Sequence, residues 1–284
     1  FFELVNEVNR HAHRVCAGVR NILFVNEDAI ASKIGKHRVL DDLFAVYSHH
    51  GNGRAELGHW PEWALQKNTR TYIDELANEY VAGYEIFNGV GIIKCIVVDL
   101  DNTLWPGVVG ENGFSWQHEG FTLGGHFEGL HQALRILKSR GILLATCSKN
   151  DEATAIADWT MRAQEGSLSP VDFVIHRINW QRKSENIIEI AQRLGLGLDA
   201  ILFIDDNEVE RDEVRQALPS VCVWSGPMTD VRSFLLQEPR LERASLTDEA
   251  MRRTEMVKSQ LAREADRVSA ISEEAFLARA SKPL

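Results

Sequence analysis

Residues able to do chemistry collect in four short segments of this sequence. The first is Asp99-Leu100-Asp101-Asn102-Thr103, where the apolar run Ile96-Val97-Val98 ends at two carboxylates one residue apart. On an extended strand, side chains two apart point to the same face, so Asp99 and Asp101 emerge together. Two such acids can share one hard cation, or divide the roles of nucleophile and general acid/base. They can equally cap a strand end by accepting from nearby backbone N–H groups. The second segment is Thr146-Cys147-Ser148-Lys149-Asn150, after the apolar Ile142-Leu143-Leu144. Small polar groups between a strand and a helix can hold a phosphate oxygen, which makes Ser148, Lys149 and Asn150 candidates, with Asn102 of the first segment beside them. The same residues also suit a helix N-cap at Asn150 or Asp151.

The third segment is Arg182-Lys183-Ser184, a loop-to-helix junction. Taken alone, Lys183 reads as a solvated charge. The fourth is Ile201-Leu202-Phe203-Ile204-Asp205-Asp206, a second apolar run ending in two acids. Neighbouring strands of an open parallel sheet bring their carboxyl ends to one crevice, so Asp205 can face Asp99 across a metal. Oxygen ligands from such acids, completed by water and phosphate, suit octahedral Mg²⁺.

The elements that must position these groups follow from periodicity. Strand-like runs fall at 95–100, 142–147, 173–175, 200–204 and 221–223, and helical spacing at 127–139, 151–161, 184–194 and 209–217. Strands alternating with helices predict an α/β fold: a doubly wound, mostly parallel sheet with helices on both faces. Residues 1–90 form an N-terminal α/β extension, with helical spacing over 2–15 and 68–84, a short strand at 21–25, and a turn-rich loop at 49–54. The core spans 91–240, and 241–284 forms a helical tail of one or two amphipathic helices.

Bulk composition narrows the function classes. The 284 residues are 44% hydrophobic and 25% charged, enough apolar content for a sizeable core. The formal net charge of −10 argues against nucleic-acid binding, which depends on Lys and Arg neutralising phosphates. No apolar run reaches the roughly 20 residues of a membrane helix. The cysteines Cys16, Cys95, Cys147 and Cys222 form no CxxC pair, so neither a zinc site nor a disulfide framework is expected, and a reducing cytoplasm suits them. A start at Phe1 rather than Met leads one to expect a processed, trimmed or excised piece.

Acid pair, hydroxyl, lysine, acid pair: in this order the segments resemble the haloacid dehalogenase superfamily of Asp-nucleophile phosphatases and phosphotransferases, over roughly residues 91–235. Its DxDxT motif falls on Asp99 to Thr103, its Ser/Thr on Ser148, its Lys on Lys183 and its terminal acids on Asp205 and Asp206. The resemblance implies Asp99 as nucleophile and Asp101 as acid/base. It implies Mg²⁺ held by Asp99, Asp205 and Asp101, the last through its backbone carbonyl, with Asp206 beside them. The stretches DLDNTLWPGVVGENG, SKND, KSENI and FIDDNEVERDEVRQALPSV are similar to the FkbH-like branch. That branch loads a glyceryl unit from the acyl-phosphate 1,3-bisphosphoglycerate onto the phosphopantetheine thiol of an acyl carrier protein, in polyketide-type biosynthesis. In that setting Cys147 is a candidate thioester nucleophile, activated by Lys149 and the helix after Asn150; the alternative is a buried core thiol. A plain phosphatase acting on a small phosphate ester through Asp99 stands as the competing function.

Overall fold

The computed structural model describes residues 2–16, 19, 22, 25–36, 67–109, 125–163, 166–243 and 247–280. The chain divides into two compact units, Phe1–Val90 and Gly91–Leu284. In the first unit the described residues form helices α1 (Phe2–Cys16), α2 (Glu27–Ile34) and α3 (Lys67–Asn88). Asn26 caps α2, its side chain accepting from the Ala29 N–H. The strand expected at 21–25 falls mostly outside the described residues, and the loop at 49–54 wholly so.

The second unit carries the sheet. Its strands are β1 (Cys95–Val98), β2 (Leu143–Ser148), β3 (Ile175–Ile178), β4 (Ile201–Ile204) and β5 (Cys222–Val223), in the order β3-β2-β1-β4-β5. All pairings are parallel. The connecting helices are α4 (Gly125–Ser139), α5 (Glu152–Arg162), α6 (Lys183–Leu194) and α7 (Glu208–Ala217), followed by α8 (Val231–Gln237) and α9 (Asp248–Ala280). Alternation along β1 feeds two cores. Ile96 and Val98 pack with α4 and α5 through Leu134, Ala155 and Trp159, whereas Cys95 and Val97 pack with α6 and α7 through Ile187, Ile190 and Val214. Buried on both faces, such strands read as continuous apolar runs rather than alternating ones, as this sequence does.

Two strands differ from their expected extents by more than one residue at an end. β1 stops at Val98 because the chain then turns: Leu100 C=O accepts from the N–H groups of Thr103 and Leu104. Strand β3 lies later than expected, because Pro170–Asp172 forms a 3₁₀ turn closed by a Ser169–Asp172 capping box. The tail is one helix, α9, and not a separate body. Thr254 is buried, and Val257 and Leu261 pack against the core on the α6 face.

Candidate active site

The strand order puts β1 at the centre, with β2 and β4 on either side. The chain runs outward from β1 to β3, then returns on the other side at β4, which makes the β1–β4 boundary the switch point where such sheets bind ligands. Val98 is in register with Ile204, so Asp99 and Asp205 leave the sheet side by side, and the Asp99 N–H donates to the Ile204 carbonyl at 2.9 Å.

Between these carboxylates sits Lys183. Its Nζ donates to Asp99 Oδ1 at 2.8 Å and to Asp205 Oδ2 at 2.5 Å, with the lysine only 3% exposed. It opens α6, where the helix dipole disfavours a cation; the two acids offset that cost and hold its pKa above the ordinary lysine value, against burial, which alone would lower it. Asp205, fully buried, is held above the ordinary carboxylate range by burial first and then by the Asp99 charge, while Lys183 opposes the shift. Asp205 Oδ1 also accepts from the Asn207 N–H at 2.8 Å, which fixes the turn into α7.

Asp206 completes the group. Ligand atoms of Asp99, Asp205 and Asp206 lie within 4.8 Å of one another. Thr103 locks Asp206 twice: its Oγ1 accepts from the Asp206 N–H at 3.0 Å and donates to Asp206 Oδ1 at 3.2 Å. Asp206 is also raised, by burial and then by Asp99. Lys183 pairs with the buried Asp99 and Asp205, while the more exposed Asp206 adds a third carboxylate beside them that no ammonium contacts among the described residues. Hard oxygen donors grouped in this way are the chemistry of a Mg²⁺ site, and these residues fit that ion.

Asp101 stands apart. Its Oδ1 accepts from Trp105 Nε1 at 3.0 Å and from the Val109 N–H at 3.2 Å, and its Oδ2 from Asn150 Nδ2 at 3.1 Å. Its carboxylate lies outside the three-acid cluster, so only its backbone carbonyl is left for the metal-holding part that the sequence assigned to it. Burial raises its pKa, Asp99 adding to the rise while the Val109, Trp105 and Asn150 hydrogen bonds oppose it. A carboxyl raised this way suits an acid/base role. Asn102 makes the turn possible by adopting φ 56°, a left-handed conformation that asparagine tolerates, and its Oδ1 accepts from the Gly107 N–H.

The remaining sequence candidates are Ser148, Asn150, Lys149 and Cys147. Ser148 ends β2, buried at the sheet's carboxyl edge. Asn150 is buried against Asp101, and Asp151, not Asn150, caps α5. Lys149 is exposed and paired with Glu210. Cys147 runs against the expectation of an activated thiol. It is 0% exposed, its Sγ donates to the Lys183 carbonyl at 3.8 Å, and burial pushes the thiol up to about 12 despite the nearby Lys183 charge. The register explains the placement: Thr146 pairs with Val98, so Cys147 is level with Asp99 and points into the core beneath α6. Lys149, expected to acidify it, is committed elsewhere.

Sequence reasoning did not single out Thr103 as a separate site residue, although its place in the DxDxT segment was the available signal. It gave no weight to Asn179 and Asn186, whose side chains bond each other at 2.9 and 3.0 Å and brace the entry to α6. Nor did it pick Glu213, which accepts from Ser184 Oγ at 2.5 Å and anchors the first turn of α6.

No protein-family model and no curated protein matches the chain. Among solved structures, it is similar to the N-terminal part of the protein BF1531 from Bacteroides fragilis, which contains a phosphatase domain and is complexed with Mg. The match has 28% identity and a TM-score of 0.65, and covers 84% of this chain and 60% of that one. The chain thus spans about three fifths of the structure it matches. Two smaller structures also match: 3-deoxy-D-manno-octulosonate 8-phosphate phosphatases from Moraxella catarrhalis (21% identity, TM-score 0.34, 54% of this chain and 91% of that) and Haemophilus influenzae (17%, 0.36, 56% and 94%). The sheet order and flanking helices define a Rossmann-like α/β fold of the haloacid dehalogenase type. The matched structure that contains a phosphatase domain shares this fold.

Proposed function

We propose that this chain is a Mg²⁺-dependent phosphohydrolase whose nucleophile is Asp99. The observation that carries this reading is Lys183, buried and bonded to Asp99 and Asp205 at once, with Asp206 completing an acidic group. Asp99, Asp205 and Asp206 would hold Mg²⁺, which when bound neutralises phosphate charge. Lys183 engages Asp99 through Oδ1; Oδ2 has no hydrogen bond among the described residues and is the oxygen assigned to attack. Asp99 Oδ2 forms a bond to phosphorus as the bond to the leaving oxygen breaks, and Asp101 gives that oxygen a proton. Asp101 then takes a proton from water, whose oxygen attacks phosphorus, releasing phosphate and restoring Asp99. Ser148 and Lys183 orient the non-bridging oxygens. The test is phosphate release from an aryl phosphate with and without Mg²⁺. Wild type should turn over only with the ion, and Asp99→Asn should lose at least about a thousandfold. Equal rates for both proteins would remove Asp99 from the chemistry.

The finer reading concerns the substrate. The motif wording favours an acyl-phosphate, 1,3-bisphosphoglycerate, with the glyceryl group passed to the phosphopantetheine thiol of an acyl carrier protein. The segment between Pro106 and α4 is short for a large cap domain, which leaves a carrier-linked substrate sterically reasonable. The burial of Cys147 favours direct attack by the carrier thiol on the acyl carbon, the thiol losing its proton and the acyl phosphate leaving, over a relay through this cysteine; the 3-phosphate is then removed by hydrolysis through Asp99. Intact-mass analysis of a candidate carrier incubated with enzyme, Mg²⁺ and 1,3-bisphosphoglycerate decides the point. A glyceryl mass gain on the carrier supports transfer, and phosphate release without that gain leaves hydrolysis alone.

A further inference from the structure

The ion pair between Lys149 and Glu210 has a position that its two residues alone do not reveal. Lys149 directly follows β2, and Glu210 lies in the first turn of α7, just after β4. These strands flank β1 on opposite sides, about 10 Å apart at normal strand spacing. Helix α5, which follows Lys149, packs in the core on one face of the sheet, and α7 in the core on the other. The 2.6 Å contact from Lys149 Nζ to Glu210 Oε1 therefore arches over the carboxyl edge of β1, where Asp99 and Asp101 emerge.

The arch is anchored at both feet. Asn150, next to Lys149, donates to Asp101, and Asp151 caps α5. The other acids at the start of α7 are engaged elsewhere: Glu208 bonds Arg211 and Arg215, and Asp212 bonds Arg215. Glu210 is the partly buried member of the pair, with 15% side-chain exposure against 38% for Lys149. The acid is thus the fixed post and the lysine the movable arm, its ammonium on a flexible four-carbon stem.

We propose that Lys149 recognises a second anionic group on the leaving portion of the substrate, and that Glu210 is a positioning residue that holds the lysine in reserve over the site. This rests on the phosphohydrolase reading of Asp99. Lys183 is enclosed by Asp99 and Asp205, whereas Lys149 is an exposed cation of this edge, on a stem able to swing toward the leaving group. A substrate bearing one phosphate and nothing else anionic does not draw Lys149 from Glu210. One bearing a further carboxylate or phosphate competes for it.

The test compares phenyl phosphate with carboxyphenyl phosphate, two substrates that share the reacting group and differ by one charge. For wild type, Lys149→Met and Glu210→Gln, kcat and KM are measured on both at low salt. Lys149→Met should raise KM for the carboxylated substrate about tenfold relative to phenyl phosphate, on the scale of one lost charge pair. Glu210→Gln should lower the carboxylated KM severalfold, with kcat on phenyl phosphate unchanged. Equal shifts on both substrates, or a weaker carboxylated substrate in Glu210→Gln, would overturn the proposal. If wild type hydrolyses neither substrate, the phosphohydrolase reading fails separately. Calorimetric affinity for carboxyphenyl phosphate with Mg²⁺ then decides the arch: the expected order is Glu210→Gln tightest and Lys149→Met weakest, and any other order contradicts it.

Discussion

Lys183 holds two carboxylates from strands β1 and β4, and its removal has consequences that charge alone decides. Lys183→Met should abolish phosphate release. It should also destabilise the metal-free protein by about 3–5 kcal/mol, because it leaves buried acids without their cation. Adding Mg²⁺ should recover part of that loss in a thermal melt. A metal-free variant as stable as wild type would show that the acids are better hydrated than their burial suggests. Cys147 gives the opposite expectation. Its thiol is enclosed and kept protonated by burial, so Cys147→Ala should keep phosphate release within about twofold while losing roughly 1–2 kcal/mol of stability. Loss of activity without loss of fold would return Cys147 to the mechanism. At this scale the sequence was legible for carboxylates and for Lys183, since residue type and order carried them. It was not legible for Cys147, whose role depends on which face of β2 it takes relative to β1.

Elements are held around the site by a few buried polar groups. His131, on α4, is one: its Nδ1 accepts from the Leu168 N–H at 2.8 Å, so Nε2 carries the proton and donates to the Leu104 carbonyl at 2.8 Å. Burial holds this imidazole below its ordinary value. The folded protein therefore binds a proton less readily than the unfolded chain. The contribution is intact above about pH 6.5, the unfolded imidazole value, and is lost as pH falls from there toward the folded value. His176 is shifted in the same direction, also by burial. Urea melts at pH 7.5 and 5.5 should show a smaller pH dependence for His131→Gln than for wild type, together with lower stability at pH 7.5. An unchanged pH dependence would remove His131 as a source. A second junction is Gly141, at φ 84°, where an added Cβ would lie 3.1 Å from Ala250 Cα on α9. Gly141→Ala should cost at least about 1 kcal/mol and loosen α9, seen as faster amide exchange there. Periodicity placed helices and strands close to where they lie. It could not foresee that β3 would start late, because the Ser169–Asp172 capping box depends on hydrogen bonds rather than on an apolar pattern.

For the whole molecule, the central sheet brings residues as far apart as Asp99 and Asp206 to one edge, and that convergence was readable from four segments each ending an apolar run or opening a helix. What lay beyond reach were links made across the sheet. Thr103 bonds Asp206, and Lys149 reaches Glu210, through contacts that no local spacing encodes. The membership of α9 in the second unit was equally hidden, since an amphipathic tail reads the same whether it packs or projects. The proposed chemistry turns on phosphoryl transfer to Asp99. Its most direct measurement is an acid quench of enzyme, Mg²⁺ and a phosphorus-labelled aryl phosphate, followed by peptide mapping. The label should sit on the peptide carrying Asp99, be released by hydroxylamine as an acyl phosphate must be, and be missing from Asp99→Asn. Phosphate release by wild type with the label on another residue would contradict the assignment.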